Sequence, residues 1–325
     1  MPNILITGSS GFVGRMARKR FEEQGWNVFG VGRRLTQQQN YFQADLSQPI
    51  PRAIFDVAKG CDVVLHAAAR SSPWGRQKEF YLANVVATEN VIDLCQRCGS
   101  PKLIFVSSSS VFYRDCDQLG MTETAPFADK PVNHYAATKQ VAERILAKYD
   151  GPSVIVRPRA VYGHGDTVLF PRILAAAKAG KLPLIVRKES EVVGDLISIE
   201  NLCDHLFQIA SQSSISGAFN LTDNDPQPII RFLNQVLERL LIPQPTWKIS
   251  AQNAYRLAWW IENVNKLVCP WREPTITRFG IHVFAFSKTF DVSKMLNQLG
   301  PPRQSTDQAV QQFVQWFEAG SPEIS

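Results

Sequence analysis

Residues 3–14 read Asn3-Ile4-Leu5-Ile6-Thr7-Gly8-Ser9-Ser10-Gly11-Phe12-Val13-Gly14. The short apolar run Asn3–Thr7 suits a strand buried on both faces of a parallel sheet. A glycine-spaced turn follows at once, and a helical stretch then runs to about Gln24. Gly8, Gly11 and Gly14 permit a tight turn, close backbone approach to a pyrophosphate, and close packing of helix on strand. The helix start offers free N–H groups and a positive dipole end to phosphate. Glycine spacing alone is weak, but its place between an N-terminal strand and a helix predicts a dinucleotide site. Ser9, Ser10, Phe12 and Val13 fill the rest of that loop.

A second predicted strand, Asn27–Val31, ends in Gly32-Arg33-Arg34. In NAD-selective sites a carboxylate near this point takes the ribose hydroxyls, whereas an arginine accommodates a 2′-phosphate. Arg33 and Arg34 offer guanidinium forks that match phosphate geometry. They favour NADP(H), with NAD(H) as the alternative and Ser9 or Ser10 as helpers.

Strand and helix patterns continue to alternate. Tyr41–Ala44 exits through Asp45-Leu46, and Asp62–Leu65 leads into His66-Ala67-Ala68-Ala69, small residues that let a flat cofactor lie against the backbone. Phe80–Cys98 reads as a helix with Asn84 near its first turns, and Lys102–Val106 ends in Ser107-Ser108-Ser109-Ser110. Such repeats predict an α/β fold of the Rossmann type, a doubly wound parallel sheet with ligands at the carboxyl ends of its strands.

Asn133-His134-Tyr135-Ala136-Ala137-Thr138-Lys139 places Tyr135 and Lys139 at i and i+4, on one helix face. A phenol ionises near a pKa of about 10, and an adjacent ammonium pulls that value toward the working range. The spacing is common on helix surfaces, so it acquires meaning only beside a cofactor.

In this order the motifs resemble the extended short-chain dehydrogenase/reductase family, which includes the NAD(P)-dependent epimerases, dehydratases and 3β-hydroxysteroid dehydrogenases. They are the 7–14 loop, Asp45-Leu46, His66–Ala69, Asn84–Asn90, Ser107–Phe112, Tyr135–Lys139 and Arg157–Gly163. The resemblance implies Tyr135 as acid/base, Ser108 as the hydroxyl that holds the substrate oxygen, and Lys139 as the ribose ligand that lowers the Tyr135 pKa. Ser108 is picked as the residue three before Val111, with Ser107 as the weaker candidate. The chain carries Phe112 and Tyr113 where Tyr and Gly are usual. Asn84, Pro158 and Val161 are implied in framing the cofactor, and Asn90 in a structural role. A finer resemblance, to the 3β-hydroxysteroid dehydrogenase-like branch and bacterial reductases of 3-oxo acids, rests on Ser72–Gly75, Phe80, Asn133–Tyr135 and Arg272–Pro274. It implies NADP(H)-dependent interconversion of a carbonyl and a secondary alcohol on a small, fairly apolar substrate. The competing expectations are an NAD-dependent sugar-nucleotide epimerase or dehydratase, and a non-catalytic dinucleotide-binding protein.

The 325 residues are 45% hydrophobic and 20% charged, as in a globular protein. A net charge of +6 is spread without a basic block, so a nucleic-acid partner is not expected. The N-terminal residues do not read as an export signal, and no apolar run approaches the ~18–20 residues that span a bilayer. The six cysteines are scattered, and no cluster has metal-ligand spacing; Cys95 and Cys98 are expected to be plain thiols. These features predict a cytoplasmic protein with a small-molecule partner and no metal, in which a homodimer is allowed.

Residues 1–165 are expected to form the NAD(P)-binding domain, with 192–212 returning to it and Val192–Ser198 as a strand. Residues 166–191 and 213–325 would build a smaller substrate lobe. Trp74, Phe112, His134 and Phe170 are substrate-pocket candidates beside Ser108. Leu257, Trp260, Ile261, Val264 and Val268 make a helical stripe expected to pack in the core, with Trp259 off it.

Overall fold

Apolar runs separated by helices give parallel strands throughout the first half of the chain. The computed structural model describes residues 1–187, 191–269, 271–274 and 276–320. It opens with β1 (Asn3–Thr7), α1 (Phe12–Glu23), β2 (Asn27–Gly32), β3 (Tyr41–Gln43), α2 (Arg52–Ala58) and β4 (Val63–His66). A segmented helix follows: α3 (Gln77–Tyr81), a π-helical stretch (Leu82–Val86) and α4 (Ala87–Arg97). Next are β5 (Lys102–Val106), a 3-10 turn (Ser109–Phe112), β6 (Gln118–Met121), α5 (His134–Leu146), β7 (Ser153–Pro158) and β8 (Val161–Tyr162). The chain continues through α6 (Phe170–Lys178), β9 (Leu184–Val186), β10 (Val193–Gly194), β11 (Ile197–Ser198), α7 (Ile199–Ser211) and β12 (Gly217–Leu221). It then forms β13 (Gln227–Pro228), α8 (Ile229–Arg239), β14 (Lys248–Ser250) and α9 (Ala251–Val268). Last come α10 (Arg278–Ala285), β15 (Lys288–Phe290), α11 (Ser293–Leu299) and α12 (Thr306–Glu318).

Among the described residues seven parallel strands make the main sheet, in the order β12-β7-β5-β4-β1-β2-β3. The order reverses between β1 and β4, which opens a crevice at their carboxyl ends. Alternation along β1 explains why both faces are covered. Ile4 and Ile6 join one core cluster with Phe21 of α1 and Leu206 of α7. Leu5 joins the opposite cluster with Val91 of α4 and Leu146 of α5. On the first face Phe21 meets Phe207 edge-on at 5.6 Å, and Arg20 pairs with Asp204 at 2.6 Å.

Three expectations are corrected. Val192–Ser198 is not one strand. Its carboxylate residue Asp195 turns inward to accept the Phe290 N–H at 2.7 Å. β10 therefore lies in a four-stranded sheet, β13-β10-β15-β6, while β11 pairs with β8. Residues 217–221, placed by sequence in the smaller lobe, instead pair with β7 as the edge strand of the main sheet. Their Ala-Phe-Asn-Leu pattern carries the buried Phe219 and Leu221 that the strand needs.

The third correction concerns α9. Its buried residues are Ala254, Ala258 and Glu262, not the expected stripe. Ala254 and Ala258 cluster with Ile281 and Ala285 of α10, a contact that small side chains permit. Glu262 accepts from the Arg278 backbone and its Nε at 2.6 and 2.7 Å, so a carboxylate is tolerated inside. Leu257, Trp260, Val264 and Val268 face outward, Trp260 being 64% exposed. Among the described residues no helix is long and apolar enough to cross a membrane.

Candidate active site

The glycine loop is packed so tightly that its composition is forced. A Cβ on Gly14 would lie 2.2 Å from the Gly8 carbonyl oxygen, and one on Gly8 would lie 2.7 Å from the Ala68 backbone. Gly8 also sits at φ 70°, where only glycine is at ease. Gly11 caps α1 without any side-chain hydrogen bond. The first N–H groups of α1, at Phe12 and Val13, are thus left to an external acceptor, which fits a pyrophosphate. Ala67 and Ala69 flank Ala68 at the exit of β4, all three partly buried.

Arg33 and Arg34 are exposed at the end of β2, and among the described residues their guanidiniums make no hydrogen bond or ion pair. Their backbone carbonyls are fixed by Gln43 and Tyr41, so the turn is held while the side chains stay available. Ser10 is partly buried near Gly32, whereas Ser9 is fully buried with its Oγ toward the Val31 carbonyl. Asp45 is exposed and accepts from the Ser47 N–H and hydroxyl at 2.9 and 2.8 Å, and Leu46 is buried beside it. Asn90, one helix away, donates to the Leu46 carbonyl at 2.7 Å.

Beneath this cradle runs a buried polar chain. Thr88 donates its hydroxyl proton to the Asn84 carbonyl at 2.7 Å, so it must accept from His66 Nε2 at 3.0 Å. His66 Nδ1 then accepts from the Thr7 hydroxyl at 2.7 Å, and Thr7 Oγ1 accepts from the Ala68 N–H at 3.3 Å. Burial first, and then the Lys139 charge, lower the His66 pKa to about 3, so the ring is neutral and its tautomer fixed. Asn84 lies in the π-helical stretch, an irregularity that often marks functional positions. Its side chain accepts from the Arg70 N–H at 2.7 Å and donates to Thr138 Oγ1 at 2.9 Å, tying the loop after β4 to α5.

On α5, Asn133 is the N-cap and accepts the Ala136 N–H at 2.8 Å, which sets the pitch at which Tyr135 and Lys139 project. Lys139 is buried and donates to the Val106 carbonyl at 2.7 Å, with its Nζ 4.5 Å from the Phe105 ring centroid. Burial lowers its pKa to about 7, against the opposing charge of Glu143 one turn on. Burial also lifts Tyr135 to about 12, with the nearby Ser108 hydroxyl acting the other way. The phenol is therefore above its ordinary value, not below it as the ammonium argument expects. Desolvation is the largest cause of the shift. Ser108, two residues past β5 and the N-cap of the 3-10 turn, is partly exposed, its Oγ 2.9 Å from Ser110 Oγ. Ser107 instead points away from the site, donating to the buried Glu143 carboxylate.

Two pocket candidates are core residues. Phe112 is 0% exposed, packed between Phe127, Phe290 and the Arg157 guanidinium. Phe170 is 2% exposed in the core of the smaller lobe, 4.7 Å from Phe313. Trp74 is partly buried in the loop after β4, its backbone bonded to Ser72, and His134 is exposed beside Phe80. Pro158 ends β7 and Val161 opens β8, so the backbone between them borders the same crevice.

Sequence reasoning missed Tyr113 and Arg159. Tyr113 is buried and bonded through its hydroxyl to Ser109 at 2.9 Å, and burial pushes its pKa up, so the phenol is neutral. Its signal was present as the departure from the usual glycine. Arg159 lies over the Tyr113 ring at 5.3 Å.

The NAD dependent epimerase/dehydratase family matches residues 4–222. The chain is 29% identical to a 2-alkyl-3-oxoalkanoate reductase of Shewanella oneidensis, over 91% of this chain and 81% of that protein. It is also 29% identical to the decarboxylating sterol-4-alpha-carboxylate 3-dehydrogenase of Mus musculus, over 96% and 90%. The structure of MoeE5 in complex with UDP-glucose and NAD superposes with a TM-score of 0.74 at 20% identity, covering 98% of this chain and all of that one. Matched along two thirds of its length and folded alike throughout, the chain is an enzyme of the NAD dependent epimerase/dehydratase family, an oxidoreductase of the extended short-chain dehydrogenase/reductase type.

Proposed function

We propose that this enzyme interconverts a carbonyl and a secondary alcohol on a small, largely apolar molecule, with NADP(H) preferred over NAD(H). The observation that carries the reading is the convergence of Ser108 and Tyr135 at the end of β5, with Lys139 beneath them and the uncapped start of α1 across the crevice. The relatives named as 3-oxoalkanoate reductase and sterol 3-dehydrogenase support carbonyl chemistry of this kind.

When bound, the dinucleotide supplies or accepts a hydride at nicotinamide C4. The Ser108 hydroxyl holds the substrate oxygen, and the Tyr135 hydroxyl gives its proton to that oxygen as the carbonyl is reduced. At about 12 the phenol is fully protonated at neutral pH, which suits it to act as the acid. Lys139 would stabilise the phenolate left on Tyr135 once the proton has gone, and would bind the nicotinamide ribose. Arg33 and Arg34 would take the 2′-phosphate as a charge-assisted fork.

Tyr135→Phe should lower kcat/KM for ketone reduction by about 10²- to 10⁴-fold while leaving NADPH binding intact. Near-normal turnover would remove Tyr135 as the acid. Replacing Arg33 and Arg34 together by Ala should weaken NADPH binding about 10- to 100-fold, with little change for NADH. Tighter NADH than NADPH binding in the unaltered enzyme would refute the cofactor preference.

A further inference from the structure

Most of the large apolar side chains exposed among the described residues fall in one stretch, 247–271, and every exposed tryptophan does. The stretch is α9 with its two flanks. Leu257, Trp260, Val264, Leu267 and Val268 recur at helical spacing along one side of α9, where Leu267 is 87% exposed. That side is separate from the seam of Ala254, Ala258 and Glu262, through which the helix already packs on α10. Trp247 is exposed just ahead of β14, and Trp271 is 73% exposed just past the end of α9. Apolar surface concentrated in this way marks contact with something outside the molecule.

The charges around the stripe identify what that contact is. Residues 247–273 carry two acidic side chains, and both are spent: Glu262 pairs with Arg278 at 2.7 Å and Glu273 with Arg172 at 3.0 Å. The same residues carry four basic ones, Lys248, Arg256, Lys266 and Arg272. All four are exposed, and among the described residues none of their side chains makes an ion pair or a hydrogen bond. The uncompensated charge of the surface is therefore wholly positive. A second copy of the chain seated on this face by a two-fold axis would bring like charges together. An anionic lipid surface complements them. Tryptophan is also the side chain favoured at the boundary of headgroup and hydrocarbon, where its ring is buried and its N–H stays hydrated.

Both ends of α9 reach the segments that bear the proposed site. Near its start, the Tyr255 hydroxyl donates to Asp115 Oδ2 at 3.0 Å, in the loop that follows the 3-10 turn capped by Ser108. Near its end, the Lys266 charge is felt at His134, the residue before Tyr135; burial first, and then that charge, hold the His134 pKa below its ordinary value.

We propose that the enzyme docks on an anionic lipid bilayer through α9, which lies in the plane of the interface with its tryptophan-bearing side among the headgroups. No helix among the described residues is long and apolar enough to cross a membrane, so the attachment is peripheral and reversible. The docking goes beyond the carbonyl/alcohol reading and does not depend on it.

The test sediments the full-length enzyme with vesicles of phosphatidylcholine alone and of phosphatidylcholine mixed with phosphatidylglycerol. The anionic vesicles should bind about 10-fold more tightly or better, and less so as salt is raised. Tryptophan emission should move to shorter wavelength on binding. Trp260→Glu combined with Val264→Glu should weaken binding about 10-fold or more at an unchanged melting temperature, since both side chains are exposed. Arg256→Glu combined with Lys266→Glu keeps the apolar side intact and should abolish the preference for anionic vesicles; this second variant decides the matter if the first is destabilised. Failure to sediment with either vesicle overturns the proposal, as does binding that both double variants leave unchanged. A dimer in analytical ultracentrifugation that Trp260→Glu with Val264→Glu dissociates, with no vesicle binding, would overturn it in favour of a second copy. Turnover is not read in any arm, so a failure of the carbonyl reading would show in the ketone assays and not here.

Discussion

Tyr135 is raised to about 12 and Lys139 lowered to about 7, both chiefly by burial. For Lys139 the sign of the stability effect follows directly. Its folded value lies below its unfolded value of 10.5, so between these the unfolded chain binds the extra proton. The stability this group contributes is present above 10.5 and is lost as the pH falls toward about 7. The cofactor-free protein should therefore gain stability from Lys139 as the pH rises from neutral into the alkaline range, and Lys139→Met should flatten that gain. Melting temperatures of the two proteins across a pH series read the difference. Residues at this scale were legible unevenly. Gly8, Gly14 and the Ser108–Tyr135–Lys139 set are tied to short local patterns that survive without knowledge of the fold. Phe112 and Phe170 were not, because an aromatic side chain reads the same whether it lines a pocket or fills a core.

At the scale of the element, α5 carries Tyr135, Lys139 and Glu143 at successive i+4 positions, so the two residues of the proposed site share one helix face with a structural carboxylate. Glu143 anchors that helix to β7 through Arg157, and to the turn after β5 through Ser107. Glu143→Ala would leave Arg157 buried and unpaired, and should cost about 3–5 kcal/mol in urea unfolding. It should also lower the Lys139 pKa further, since the Glu143 charge is what opposes the effect of burial. The α9 helix shows why an apolar stripe can mislead. The face that packs against α10 is built from Ala254 and Ala258, where backbone proximity matters more than side-chain hydrophobicity. Glu262 enters that face only because Arg278 satisfies it, a pairing that spans 16 residues and is invisible to periodicity.

For the whole molecule, strand alternation up to residue 158 made the sheet readable, while the small sheets of the second half were not. Strands of two or three residues such as β10 and β11 carry no periodic signal, and their pairing partners lie far along the chain. The edge strand β12 has a similar history: it leaves the smaller lobe to cover β7, with Phe219 and Leu221 fully buried there. A fragment of residues 1–165 would expose the β7 edge and lack α7, whose Phe207 packs on Phe21. Such a fragment should be poorly soluble and bind NADPH weakly or not at all, whereas one ending after residue 222 should recover sheet content by circular dichroism.

The same strand carries a consequence for how the protein is made. As the chain emerges during synthesis, β7 is complete about 60 residues before its outer neighbour exists, since β12 begins at Gly217. Through that interval the growing chain presents a β7 edge with open hydrogen-bonding groups, the kind of surface on which strands of other chains can pair. The β12 segment is thus a late-arriving guard for the edge, and its delay defines when the nascent enzyme is most in need of protection.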